Sequence, residues 1–197
     1  MAMELYDLAG ADDTIRFSPY CWRARMALAH KGLDTKTIPV RFGEKAKLGF
    51  SGQKLVPVLR DGQTIVCDSW DIGLYLDATY PDRPLLMDGP HALALTSFFR
   101  NWAQMRIGPA IMRIVLMDIH NACTGEDQTY FRSSREARLG MPLEQFILTE
   151  EEGCKSIAAE LAPLRETLAN QPFVNGDAPA FADYIVFGAF MWARGIS

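Results

Sequence analysis

Two serines in this sequence stand where a helix would begin. Ser18 precedes Pro19, Ser69 follows Asp68, and after each pair the apolar spacing turns helical. Serine can cap a free backbone N–H, and proline suits the first helical position because its missing donor is not needed there. A helix start gathers unpaired N–H groups and the positive end of the helix dipole, so it favours a negatively charged group beside it. On residue type alone Ser18 reads as a cap, since serine caps are common. Arg41, Lys45, Lys47 and Lys54 add a basic stretch between the two serines. Cys21, Cys67, Cys123 and Cys154 have neither zinc-site nor disulfide-framework spacing, and read as free thiols of a reducing cytoplasm, with no metal site.

The elements that must position these groups fall into two sets. Met3–Leu8 (MELYDL) alternates and reads as a strand, and Ser18-Pro19 opens a helix that ends at His30-Lys31 and Gly32, with Trp22, Met26 and Ala29 on one face. Thr35–Val40 reads as a second strand, and Arg41–Lys54 as a loop or irregular helix. Leu55–Arg60, the turn Asp61-Gly62 and Gln63–Cys67 form an expected hairpin, and Asp68-Ser69 caps a helix running to Tyr80. Pro81–Pro84 breaks that helix and reads as a linker.

Beyond the linker strand signals vanish. One long helix is expected over His91–His120 with a kink at Gly108-Pro109, then helices over Thr129–Gly140, Gly153–Leu168 and a strongly apolar Phe181–Arg194. A mixed unit, 1–81, followed by an all-helical unit, 88–197, is the expected organisation.

Composition narrows the function. Apolar residues make up 49% and charged residues 22% of 197 residues, an ordinary globular balance. A net charge of −4 argues against a general nucleic-acid binder, which needs a basic surface. No apolar run approaches the roughly 20 residues that span a bilayer, and Met1–Glu4 lacks the basic-then-apolar pattern of a secretory leader.

Four motifs in order carry a resemblance: Ser18-Pro19-Tyr20-Cys21-Trp22-Arg23, Val56-Pro57 before a strand, Asp68-Ser69, and Asn175-Gly176-Asp177 followed by Ala182-Asp183-Tyr184. Together they resemble the glutathione transferase superfamily over essentially the whole chain. That implies α/β plus all-α architecture, a thioredoxin-like N-terminal domain followed by a helical domain. Ser18–Arg23, Asp68-Ser69-Trp70, Tyr80–Leu85 and Ser134-Arg135-Glu136 look more narrowly like serine-type members, the bacterial β-etherase-like and fungal FuA-like transferases. Those enzymes use glutathione to cleave aryl ethers.

The resemblance implies glutathione as cosubstrate, a small hydrophobic electrophile, cytoplasmic detoxification and a homodimer. Ser18 would donate a hydrogen bond to the glutathione thiolate, aided by the helix dipole, since a free thiol with a pKa of about 8.5 is mostly protonated at neutral pH. Tyr6 is the rival, because other classes use a tyrosine near the end of the first strand. Val56-Pro57 would form a cis peptide presenting the Val56 backbone to the cysteinyl unit. Ser69 would take the γ-glutamyl carboxylate, Asp68 the γ-glutamyl ammonium, and Lys54 the glycyl carboxylate. Trp102, Met105, Arg106, Pro109, Phe17 and Trp22 are candidate walls of the electrophile site.

Three departures from the pattern bear on function. Ser-Pro-Tyr-Cys looks like a glutaredoxin site whose first cysteine has become serine, which disfavours thiol–disulfide exchange and leaves Cys21 an inert thiol. Ala180 stands where a serine or threonine would cap the last helix, removing a cap worth about 1 kcal/mol. The chain ends at Ser197, directly after an apolar helix that needs neighbours to cover it, whereas relatives continue for several helices more; truncation of the helical unit at its C-terminus is expected, with an unusually open pocket as the alternative. A non-catalytic protein of the same fold that binds glutathione or a hydrophobic ligand is the competing expectation.

Overall fold

The computed structural model describes residues 3–197; Met1 and Ala2, the start of the expected 1–81 unit, lie outside the described residues. Strand β1 (Met3–Leu8) pairs in parallel with β2 (Thr35–Val40) and antiparallel with β3 (Val58–Asp61), which pairs with β4 (Thr64–Cys67). The sheet order is β2-β1-β3-β4. Strand alternation sends Leu5 and Leu59 into the core shared with the helices, and Tyr6 and Val58 to a smaller cluster with Val40 and Leu48.

The hairpin is shifted from its expected place. Asp61 pairs with Thr64, so Gly62-Gln63 is the turn, with Gly62 at φ 60°, and Leu55 lies outside the strand and exposed. A positive φ at the first turn residue matches the twist of the flanking strands, and glycine adopts it without penalty. The basic loop contains a 3-10 segment, Lys45–Ser51.

Helix α1 (Pro19–His30) crosses between β1 and β2 and buries Cys21, Arg23, Ala24, Ala27 and Leu28. Trp22, Met26 and Ala29 are not among the buried residues, and the small side chains of Cys21, Ala24 and Ala27 let the helix lie close to the sheet. Lys31 is wholly buried, its ammonium 2.7 Å from Asp77 Oδ1 and donating to the Tyr80 carbonyl. Asp77, on α2 (Ser69–Thr79), also accepts from the Leu86 and Met87 N–H groups, so one buried ion pair ties α1, α2 and the connecting segment together.

The rest is helical. α3 (Gly89–Trp102) runs through a π-helical turn, Ala103–Ile107, into α4 (Gly108–Asn121). The long helix therefore deforms just upstream of the expected Gly108-Pro109 kink, where Pro109 withholds its N–H from the preceding turn. α5 (Gly125–Leu139) and the short α6 (Leu143–Phe146) follow. α7 (Glu150–Glu160) opens on a Thr149/Glu152 capping box and is separated from α8 (Ala162–Leu168) by Leu161, so the single helix expected over Gly153–Leu168 is two.

α9 (Phe181–Arg194) is the centre of the molecule. Its Phe181, Tyr184 and Ile185 join the core of the sheet unit, while Ala182, Val186 and Ala189 join the helical core. The missing cap at Ala180 is made good from within: the Asp183 carboxylate accepts from the backbone N–H groups of Ala180 (3.0 Å), Val174 (2.7 Å) and Asn175 (3.3 Å).

Candidate functional site

Register places the candidate residues at one end of the sheet. Tyr6 pairs with Val58 and Val58 with Cys67, so the C-terminal ends of β1 and β4 and the start of β3 lie side by side. Pro57 and Asp68 are adjacent across the hairpin, with the Asp68 N–H donating to the Pro57 carbonyl at 3.2 Å. The Val56–Pro57 peptide is cis, as the resemblance implied. α2 starts directly from β4, and β1 leads through the 9–17 loop to α1, so two helix N-termini share this end of the sheet.

The loop ahead of Ser18 is tied down. The Ala9 N–H donates to Val40, the Gly10 N–H to Ile15, and the Trp22 indole N–H to the Arg16 carbonyl at 2.9 Å. Arg16 reaches the buried Asp7 carboxylate at 3.5 Å, where Arg25 also lies. Ser18 is buried; its Oγ accepts from the Cys21 N–H at 3.3 Å, capping α1. Accepting that bond leaves the hydroxyl's own hydrogen free to be donated elsewhere.

Asp68 caps α2 at a conformational cost. Its Oδ1 accepts from the Trp70 N–H at 2.8 Å, and its backbone holds φ 73°, ψ 140°. A non-glycine residue in that region costs about 1–3 kcal/mol and persists where surrounding structure requires it. Ser69 beside it is 2% exposed and makes no side-chain hydrogen bond among the described residues. Of the basic residues, Arg41 pairs with Asp13, Lys47 with Glu44, and Lys45 donates to the Tyr130 hydroxyl at 2.9 Å. Lys54 is exposed and has no such partner among the described residues.

Ser18 also faces a cavity. A half-open space of about 250 Å³ lies between the 17–20 segment and the helical unit, with Leu8 and Phe42 on one side. Met112, Leu116 and Ile119 of α4, Phe131, Arg135 and Arg138 of α5 and Trp192 of α9 complete it. Of the expected walls only Phe17 belongs to it. Met105 is 73% exposed, Arg106 is held at the surface by Glu160, and Trp22 lies under Arg25 on the far side of α1. Pro109 is exposed, and Trp102 packs on Phe99. The π turn moves that segment out of phase with the cavity-lining face of α4. Aromatic and Met residues at helical spacing carried no signal to separate wall from core; Ser134-Arg135-Glu136 was legible only as a motif.

Tyr6 is placed differently. Its ring packs against Phe50 at 4.9 Å and its hydroxyl donates to Glu4, away from the cavity. Burial, with the Glu4 charge, raises its pKa. Cys21 is fully buried, and burial with the neighbouring Asp7 carboxylate pushes its thiol well above the ordinary range, as an inert thiol requires. Among the described residues no three His, Cys, Asp or Glu side chains group to hold a metal ion, and no helix is long and apolar enough to cross a membrane.

A thioredoxin-like sheet unit, a helical unit and a buried serine at a helix start opening on the cavity between them define the class of protein. Residues 14–84 match the sequence model of the glutathione S-transferase N-terminal domain, and residues 94–197 that of the C-terminal domain. The chain belongs to the glutathione S-transferase family. It is 40% identical over 78 residues to glutathione S-transferase Z1 of Arabidopsis thaliana, a match covering 37% of this chain and 35% of that protein's length. Glutathione transferase GSTFuA3 of Phanerochaete chrysosporium superposes with a TM-score of 0.88 at 26% identity, covering 99% of this chain and 85% of that one. Glutathione S-transferase CsGST63524 of Ceriporiopsis subvermispora, solved in complex with glutathione, superposes with a TM-score of 0.89 at 25% identity, covering 100% and 86%.

Proposed function

We propose that this chain is a glutathione transferase in which the 1–81 unit holds glutathione and the 88–197 unit holds a hydrophobic electrophile. The observation that carries the reading is the double placement of Ser18, which caps α1 beside the start of α2 and also lines the apolar cavity. A thiolate set at Ser18 meets a hydroxyl donor and the positive end of α1, both of which favour the charged sulfur. Val56 offers backbone groups for the cysteinyl unit, with Pro57 fixing their direction. Ser69 and the N-terminus of α2 suit the γ-glutamyl carboxylate. Asp68 faces the γ-glutamyl ammonium with the carboxylate oxygen not used in its cap, and Lys54 the glycyl carboxylate.

The reaction balances simply. The glutathione thiol gives its proton to solvent, the sulfur attacks an electrophilic carbon, and a C–S bond forms as the bond to the leaving group breaks. For an aryl ether, the electron pair leaves with the phenolic oxygen, which takes a proton. That ether-cleaving variant is supported by the likeness to the fungal enzymes and the motifs shared with β-etherase-like members.

A homodimer is proposed as well: Leu95, Phe98 and Met105 are 42%, 62% and 73% exposed along α3 and the turn after it, more apolar surface than water favours. Cytoplasmic detoxification is the setting such chemistry suits. The deciding experiment measures turnover of haloaromatics, epoxides and β-aryl ethers with glutathione. Turnover that falls in Ser18→Ala with glutathione affinity retained supports the enzyme; no turnover by the wild type, with glutathione bound, means a binding protein of the same fold.

A further inference from the structure

The cavity beside Ser18 is mostly apolar, and the charged side chains lining it are Arg135 and Arg138, one turn apart on α5. Neither has a carboxylate partner among the described residues. The nearby Glu136 is committed elsewhere, accepting from Arg132 at 2.9 Å and from the Leu143 N–H at 3.2 Å. The Arg135 guanidinium is partly buried between two rings, 4.4 Å from the centroid of Phe131 and 5.1 Å from that of Phe42, and donates to Ser134 Oγ at 2.9 Å. Arg138 lies one turn on, against Met112 Sδ at 3.7 Å. Burial, and then repulsion from Arg138, hold the Arg135 pKa below the ordinary value against the opposing effect of Tyr130.

A half-buried guanidinium at Arg135, with the exposed cation of Arg138 beside it and no counter-ion among the described residues, is unfavourable in the free protein. A guanidinium keeps four N–H donors after bonding Ser134, in a fork that matches a carboxylate. We infer that Arg135, assisted by Arg138, is a specificity-determining site for an electrophile carrying a carboxylate on an apolar body, with the body packed on Phe131, Met112 and Trp192. This deepens the transferase reading and rests on it for the word electrophile; the recognition of the anion does not.

The test is binding, measured by calorimetry on the full chain with 4-nitrobenzoate and its neutral counterpart 4-nitrobenzamide, and separately with glutathione. A charge-assisted pair predicts that the acid binds about tenfold or more tighter than the amide. Arg135→Met, which keeps the apolar stem on Phe131, should bring that ratio close to one. Arg138→Gln, at an exposed position, should lower it partly, and Arg135→Lys should retain part of it. A wild-type ratio near one, or a ratio unchanged in both Arg135→Met and Arg138→Gln, overturns the inference. So does a loss of glutathione affinity in these variants with the ratio intact, since the arginines would then serve the tripeptide. Failure of the wild type to bind glutathione would instead overturn the transferase reading and leave the acid-to-amide ratio to stand or fall by itself.

Discussion

Gly188 of α9 faces the carbonyl oxygen of Pro19 so closely that a Cβ at position 188 would stand 2.5 Å from it. Two turns along the chain, a Cβ at Gly195 would stand 2.8 Å from the Arg16 carbonyl oxygen. The two glycines let α9 lie directly on the segment carrying Ser18, and Trp192, between them in sequence, reaches the cavity that Ser18 lines. The position of the proposed thiolate donor is thus set by a helix of the other unit.

Gly188→Ala should therefore do more than overpack a core. It is expected to cost about 1–3 kcal/mol of stability, since backbone cannot yield as a side-chain tip can. Turnover should fall as well, because α9 can only be accommodated by moving off Pro19. Denaturant unfolding and steady-state kinetics on the same sample check both; unchanged kcat/KM would show that the α1–α9 contact does not set the site.

Ser18→Ala removes both a cap and a donor. The cap is worth about 1 kcal/mol of stability. Loss of a hydrogen bond to a charged sulfur, about 1.5–3 kcal/mol, should raise the thiol pKa of bound glutathione by about 1–2 units. The rising limb of the pH–rate profile then moves to higher pH, and the rate at neutral pH drops about tenfold or more. Tyr6→Phe should leave that limb in place, because the Tyr6 hydroxyl is engaged with Glu4. The reverse outcome would move the donor to Tyr6.

Asp183 replaces the serine or threonine cap absent at Ala180. Its carboxylate accepts three backbone N–H groups, so Asp183→Ala leaves two partly buried donors, at Val174 and Ala180, and one exposed donor, at Asn175, unpaired. A loss of about 2–4 kcal/mol is expected, read as a lowered midpoint in urea. Ala180→Ser, with Asp183 intact, should change stability by much less than that.

His30 joins α1 to α9, its Nδ1 2.8 Å from the Tyr184 hydroxyl, while Nε2 lies toward the Pro84 and Leu85 carbonyls without reaching hydrogen-bond geometry. Burial, and then the Lys31 charge, hold its pKa below the ordinary value against the opposing effect of those carbonyls. The unfolded chain thus binds the proton more readily. Stability from this group is intact above the unfolded pKa of about 6.5 and is lost as pH falls from there through the lower folded value. Melting temperatures between pH 8 and pH 5 should fall less steeply in His30→Gln than in the wild type.

Much of the first unit was legible residue by residue. Met3–Leu8, Thr35–Val40 and the Ser18-Pro19 start are local events, decided by alternation and by capping chemistry that adjacent residues supply. The hairpin slipped because its turn is chosen by which residue tolerates a positive φ within the paired register, and that register depends on β1. The cavity was not legible at all. Phe42, Met112, Phe131, Arg135 and Trp192 come from four separated stretches of chain, and the π turn before Gly108 resets the helical phase that would have assigned Trp102 and Met105 to the wall. By itself the sequence determined where chemistry could begin, at two serines on two helix starts. Only tertiary packing decided what faces Ser18, because the side chains opposite it are brought there by α9 settling on two glycines against the backbone of α1 and the loop before it.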